Sequence, residues 1–484
     1  MNYRMIAYII GHIVRVEGIL MILPLACALI YGESSWTAFT LPIVVSLAVG
    51  TVFTIKKPEN TQIFAKEGFV SVALSWIILS LIGAIPFVIG GAIPSYVDAL
   101  FETVSGFTTT GASILTDVEA LDRGMLFWRS FTHWIGGMGV LVFVMAILPQ
   151  ADTRSVKLMH VMRAEVPGPK VGKLVSKISR TARIMYGIYI VMTAVEVVLL
   201  LIGGMPLFDS ILNSFATAGT GGFAIKSASI AAYDSAYVDC VIGIFMVLFG
   251  INFNLYYFIL VGQGLQALKS EEFHWYLGIV TAATALIAFD IYRIYGDVGE
   301  SVRHAFFQVA SIITTTGFAT ADFNAWPVLS QTVLVLLMFC GACAGSTGGG
   351  IKVGRLILLA KTGLREIKYM LHPRSVVAIK MEGKPAEREV IRSATAFIIV
   401  YGMLYVVSFF LLTFAEECDL VTGFTAVCAT INNIGPGLGE VGPMGSFGGF
   451  TSFTKLLLSF VMLAGRLEIF PMIMLLAPGT WRRR

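Results

Sequence analysis

The sequence predicts an all-α polytopic membrane protein with ten spans, a two-helix N-terminal unit followed by four tandem repeats. Three observations carry that prediction. The 484 residues are 56% hydrophobic and 13% charged, with a mean hydropathy of +0.81, whereas a soluble domain carries about a quarter charged residues. Apolar runs of the roughly 20 residues that cross a bilayer recur from end to end. A short threonine- and glycine-rich stretch also occurs four times: SGFTTTGAS from Ser105, FATAGTGGFA from Phe215, SIITTTGFAT from Ser311 and ATINNIGPG from Ala429.

The spans are expected at 5–31, 38–55, 68–91, 125–148, 183–203, 238–262, 273–292, 328–361, 393–414 and 453–477. The first follows Arg4, is broken by Arg15 and Glu17, and lacks a cleavage pattern, so it reads as a retained helix. The eighth is too long for one regular span and contains GACAGSTGGG, Gly341 to Gly350, where a break is expected. Basic residues set the orientation. Lys56 and Lys57 follow the second span, and Arg154, Lys157, Arg163, Lys170, Lys173, Lys177 and Arg180 follow the fourth. Arg365, Lys368, Arg374, Lys380, Lys384, Arg388 and Arg392 follow the eighth, and the chain closes on Arg482, Arg483 and Arg484. With ten alternating spans all of these face the cytoplasm, as do both termini. Asp117, Glu119, Asp234, Asp239, Glu416, Glu417, Asp419 and Glu440 fall on the other side.

Each of the last four span pairs encloses a short apolar segment, 97–107, 207–218, 302–313 or 419–431, that runs into one of the Thr/Gly stretches. Such segments are too short to cross the membrane and long enough for a helix that enters halfway. The organisation is therefore an N-terminal unit at 1–66 and repeats at 67–182, 183–272, 273–392 and 393–484.

A chain that turns back inside the membrane leaves carbonyls without helical partners, and each unmet group there costs several kcal/mol. A cation can satisfy them. Glycine allows successive carbonyls to face one line, threonine adds a hydroxyl ligand, and half-helices ending in the membrane add partial negative charge. Four copies around an axis make a ring of neutral oxygens, which suits potassium; smaller or divalent ions call for carboxylates, absent from these stretches. One such run alone would read as helix-packing glycine. Four, each after a half-span and aligned on Gly111, Gly222, Gly317 and Gly435, favour a pseudo-fourfold arrangement around one pore.

Arg466, in VMLAGRLEIF, lies near the middle of the last span. An intramembrane arginine faces a cavity or a partner, so it is read as a charge on the pore axis or as half of a structural ion pair. The glycines Gly345, Gly348, Gly349 and Gly350 of the eighth span make that stretch a second gate candidate. Lys352 follows them, but Ile351 intrudes and no Ser/Thr comes after, so the phosphate-loop pattern fails. Cys340 and Cys343 lack the second pair that a metal site needs and read as packing residues. His133 and His304 read as interfacial, Asp290 and Glu468 as structural acids or proton relays. No nucleophile–base pair marks an enzyme, and the modest net charge of +4 gives no nucleic-acid surface.

These runs, the two-span preface and the glycine at each matching position resemble the Trk/Ktr/HKT superfamily of potassium transporters over essentially the whole chain. The resemblance implies potassium selectivity, because in this superfamily a serine at the first glycine accompanies sodium transport and the residue here is Gly111. It implies potassium ligands at Thr109, Thr110, Thr220, Gly221, Thr315, Thr316, Asn433 and Ile434, with NNIGPG departing most from the pattern. It further implies an intramembrane loop and an arginine as gates, a bacterial inner-membrane homodimer in contact with lipid, and a cytosolic TrkA-type nucleotide-binding ring as partner. No cofactor is expected in the chain itself; potassium occupies the pore and nucleotide acts through the ring. A symporter coupled to protons or sodium is the alternative, although symporters usually carry inverted repeats and these four run in the same order.

Overall fold

The computed structural model describes residues 1–60, 63–139, 178–375 and 378–481. Of the basic residues that set the orientation, Arg154 to Lys177 and Arg482 to Arg484 lie outside them, as does the end of the fourth span beyond residue 139. Helices dominate throughout. Among the described residues, six are long and apolar enough to cross a membrane, as is one bent pair.

The N-terminal unit pairs Tyr3–Leu20 and Ile22–Ile30 with Trp36–Thr54. The two arms approach closely because they meet through glycine: a Cβ at Gly50 would lie 2.7 Å from Gly11 O.

Four units of one design follow. The first runs through Ala65–Gly83 with Ile85–Ile89, then Tyr96–Phe107 and Arg123–Gly137. The second uses Ile178–Ile202, Leu207–Gly219 and Ala236–Phe249; the third Glu271–Tyr295, Val298–Ile313 and Val328–Met338; the fourth Arg388–Ala415, Leu420–Ile431 and Ser452–Arg466. The long first helices begin at Ala65, Ile178, Glu271 and Arg388, a few residues ahead of the expected repeat boundaries.

The middle helices match the expected half-spans to within a few residues. Three of them start on local caps: Ser95 accepts from Asp98 N, Asp297 from Glu300 N at 2.7 Å, and Asp419 from Val421 N and Thr422 N.

The closing helix of each unit packs on the next unit's half-helix: Arg123–Gly137 on Leu207–Gly219, Ala236–Phe249 on Val298–Ile313, and Val328–Met338 on Leu420–Ile431. Ser452–Arg466 packs back on Tyr96–Phe107 and closes the circle. Buried Lys455 pins that last seam, its Nζ 2.7 Å from Asp98 Oδ1.

Two of the expected spans need correction. The sixth span was expected to be continuous over 238–262, but it stops at Phe249 and restarts at Phe253 with a 90° bend. The carbonyls freed there are taken by another part of the chain: Cys343 N donates to Gly250 O at 3.0 Å and Thr347 N to Phe249 O at 3.4 Å. The tenth span is likewise interrupted between Arg466 and Phe470, and the eighth between Met338 and Val353, where the glycines anticipated it.

Candidate functional site

All four half-helices end in the same turn. The N–H groups of Thr110, Gly221, Thr316 and Ile434 donate to Ser105 O, Ala216 O, Ser311 O and Ala429 O at 2.8–2.9 Å. One residue earlier, Thr109, Thr220, Thr315 and Asn433 donate to Gly106 O, Thr217 O, Ile312 O and Thr430 O. Together these are Schellman caps, which need a left-handed residue in the middle. That residue has φ of 53°, 53°, 60° and 55° in the four units. Glycine is the usual choice, whereas a β-branched residue held there stores about 1–3 kcal/mol. Threonine at three of the four positions therefore points to a use for its hydroxyl.

Two residues on, Gly111, Gly222, Gly317 and Gly435 are left-handed again, with φ of 80°, 73°, 85° and 99°. In an extended strand successive carbonyls face opposite sides. Left-handed residues at alternate positions turn them toward one side, as dehydrating an ion requires.

The glycines also show how the units meet. A Cβ at Gly111 would overlap Gly221 O, one at Gly222 would overlap Thr316 O, and one at Gly317 would overlap Ile434 O. At Gly435 it would lie 2.7 Å from Thr110 O. Each glycine thus abuts the carbonyl of the residue that precedes the next unit's glycine, and the fourth returns to the first. The expected residues Thr109, Thr110, Gly111, Thr220, Gly221, Gly222, Thr315, Thr316, Gly317, Asn433, Ile434 and Gly435 all lie in this ring. The Thr109 hydroxyl and Asn433 Oδ1 are buried without a hydrogen bond in the described residues, two oxygens left for another partner. Thr108 with Thr110, and Thr314 with Thr316, share hydroxyl hydrogen bonds of 2.8 Å in the first and third units.

Side chains behind the ring fix its position. His133 was expected at an interface but is fully buried: Nδ1 donates to Gly106 O at 2.7 Å and Nε2 accepts from Phe223 N at 3.2 Å, tying the first unit to the second. That pairing fixes the neutral tautomer. Buried Glu102 holds Arg129 at 2.6 Å and accepts from Ser113 Oγ and Ile114 N, while Arg129 reaches Ala224 O at 2.8 Å and lies over the Phe223 ring. Neither Glu102 nor Arg129 stood out in the sequence. The one available signal was an acid and a base in two elements that the repeat pattern places in the membrane. His304, by contrast, is bonded to Thr320 Oγ1 beside Glu300, near the start of its helix.

On the side where the half-helices end, the stretch Gly341–Gly350 sits against the ring. Gly349 N donates to Thr315 Oγ1 at 2.7 Å, and Cβ atoms at Gly348 and Gly349 would lie 2.9 Å from Thr314 O and 2.6 Å from Asn432 O. Gly345 and Gly350 turn the stretch with φ of 74° and 67°. Arg466 binds it from below: Nη1 donates to Thr347 O at 2.8 Å, and Nη2 to Gly136 O and Gly137 O at 2.6 and 2.9 Å. The two gate candidates are in direct contact.

The two acids considered as relays have structural partners. Glu468 pairs with Arg355, and Asp290 accepts from Ser330 N and Oγ at the start of the same unit's closing helix, Val328–Met338. Lys352 donates to Gly348 O. Cys340 and Cys343 are free buried thiols, and no cluster of metal-binding side chains occurs among the described residues.

Comparison with known proteins covers the entire chain. The family model TrkH, described as a cation transport protein, matches residues 35–289 and 291–481. The chain is 37% identical to the Trk system potassium uptake proteins TrkH of Salmonella typhimurium and Escherichia coli over 100% of each sequence. It is 35% identical to TrkG of Escherichia coli over 99% of each. The crystal structure of the potassium transporter TrkH from Vibrio parahaemolyticus superimposes with a TM-score of 0.89 at 33% identity, covering 100% of both chains.

Proposed function

The chain belongs to the TrkH family of cation transport proteins, and from that premise we propose that it carries potassium into the cell through a gated, channel-like pore. The observation that carries this reading is the closed cycle of four left-handed glycines, each against the next unit's carbonyl. The ring offers neutral carbonyl and hydroxyl oxygens without carboxylates, which favours a large monovalent ion over a divalent one. Thr109, Thr110, Thr220, Gly221, Thr315, Thr316, Asn433 and Ile434 supply the ligands, and the four half-helix C-termini add partial negative charge.

The gate is the stretch Gly341–Gly350 with Arg466. Their contacts favour a closed state, in which loop backbone occupies the space beneath the ring and a guanidinium repels cations. Opening exchanges the loop's hydrogen bonds to Thr315 and Arg466 for water.

The protein sits in the bacterial inner membrane as a homodimer with both termini in the cytoplasm, and a TrkA-type nucleotide-binding ring controls it from there. Nothing in this reading requires a catalytic step, in keeping with a transporter family. The membrane potential supplies about 2.3 kcal/mol per charge at 100 mV, sufficient for roughly 50-fold accumulation.

Reconstituted vesicles test the proposal. An imposed inside-negative potential, with no pH or sodium gradient, is expected to drive potassium and rubidium uptake. Uptake that appears only with a proton or sodium gradient would replace the channel reading with a symporter.

A further inference from the structure

The segment 344–354, which takes in Gly345 to Gly350, is held between its ends by Thr315 and Arg466, and at its two ends by one carboxylate. Glu272 Oε1 accepts from Ala344 N at 2.8 Å and from Gly354 N at 2.9 Å. The carboxylate sits close over Gly354: a Cβ there would lie 2.8 Å from the same oxygen and would push it aside. Glu272 belongs to the first turn of Glu271–Tyr295, and a second carboxylate holds that turn from outside. Glu382 accepts from Ser270 Oγ at 2.9 Å, from Glu271 N at 3.1 Å and from Glu272 N at 3.5 Å.

Glu382 sits at the tip of a small hairpin in which Lys380 pairs with Pro385 and Met381 with Lys384. Its φ of 51° and that of Gly383, 73°, make a two-residue turn with both residues left-handed, a place that favours asparagine, aspartate or glycine. Glutamate there is strained, and its long side chain is what reaches the helix. The hairpin is itself seated: Met381 packs with Leu358, Ile379 and Ala394, and Lys361 bonds both Glu271 and Lys380 O. The exposed Lys380 and Lys384 leave a basic outer face.

We propose that the hairpin Lys380–Pro385 is an input lever of the gate and that Glu272 is the positioning residue through which it acts. This rests on the reading of Gly341–Gly350 as the closed gate. Displacing the hairpin removes the Glu382 cap, frees the first turn of Glu271–Tyr295, and withdraws the carboxylate that bridges Ala344 N and Gly354 N. The loop is then held by Thr315 and Arg466, by Lys352 on Gly348 O and by its backbone bonds to Phe249 O and Gly250 O, without the carboxylate. An acidic surface on a cytosolic partner is the chemistry that would grip Lys380 and Lys384.

The test is passive rubidium flux in vesicles without any partner, with the potassium-to-sodium preference measured in parallel. Glu272→Ala is expected to raise basal flux about tenfold, the loss of one two-acceptor charged contact. Glu272→Gln keeps an acceptor oxygen and is expected to raise it less. Glu382→Ala is expected to raise it a few-fold, and the double variant no further than Glu272→Ala alone. Ion preference stays unchanged in all. If Glu382→Ala has no effect, or adds fully to Glu272→Ala, while Arg466→Ala still raises flux, the lever is wrong and the gate stands. If Arg466→Ala is also silent, the gate reading falls with it. Loss of ion preference in Glu272→Gln would make Glu272 part of the ring's support and overturn the proposal.

Discussion

Alanine at Gly111, Gly222 or Gly317 is expected to abolish potassium-selective uptake, and alanine at Gly435 to weaken it less. The order follows from geometry. At the first three positions a Cβ overlaps a carbonyl oxygen of the next unit, whereas at Gly435 the nearest atom, Thr110 O, is 2.7 Å away. All four carry the left-handed strain of about 1–3 kcal/mol that a non-glycine residue meets, and the clash that forces the ring apart is milder at Gly435 than at the other three. A change of 1.4 kcal/mol is tenfold, so at least a tenfold fall in potassium uptake relative to sodium is expected for those three. Gly111→Ser should behave as they do, with sodium gaining most. Competition between potassium and sodium for uptake in vesicles or in a transport-deficient strain measures the effect. Equal, mild effects at all four glycines would mean that the units do not bear on one another at this level.

Arg466→Ala is expected to raise basal flux by about two orders of magnitude. The guanidinium makes three hydrogen bonds to backbone carbonyls of the loop and of the first unit's closing helix, and it places a positive charge beneath the ring. Bonds to charged groups contribute about 1.5–3 kcal/mol each. A shift of about 3 kcal/mol in the open–closed balance corresponds to roughly 150-fold. Arg466→Lys keeps the charge but not the planar fork, so its flux should fall between the two. Single-channel or rubidium-flux recordings separate these outcomes, and flux unchanged in Arg466→Ala removes the residue from the gate.

The half-helices and their turns were legible because they are built locally. One polar Thr/Gly run after a short apolar segment would read as helix packing, and it is the fourfold recurrence, each time after a half-span, that favours a pore. Even NNIGPG, the least similar run, keeps the left-handed pair at Asn433 and Gly435. What the sequence hid depends on distant partners. The break at Gly250 looks like ordinary small-residue packing until Cys343 N and Thr347 N are seen to take its carbonyls. His133 lies in an aromatic helix whose polarity is explained only by Gly106 O in its own unit's half-helix and Phe223 N in the second unit. Glu102 and Arg129 belong to separate elements, so nothing in their spacing marks them as a pair. Glu468 stood out as an intramembrane acid, yet Arg355 more than a hundred residues earlier accounts for it.

The central claim, that four re-entrant turns jointly coordinate a dehydrated monovalent cation, is most directly tested by anomalous diffraction from crystals grown in rubidium or thallium salts. The account predicts density on the line enclosed by Thr110, Gly221, Thr316 and Ile434, within direct coordination distance of their carbonyl oxygens and weakened by Gly222→Ala. Anomalous density confined to the outer surface, with the space between those carbonyls empty of ions, would contradict it.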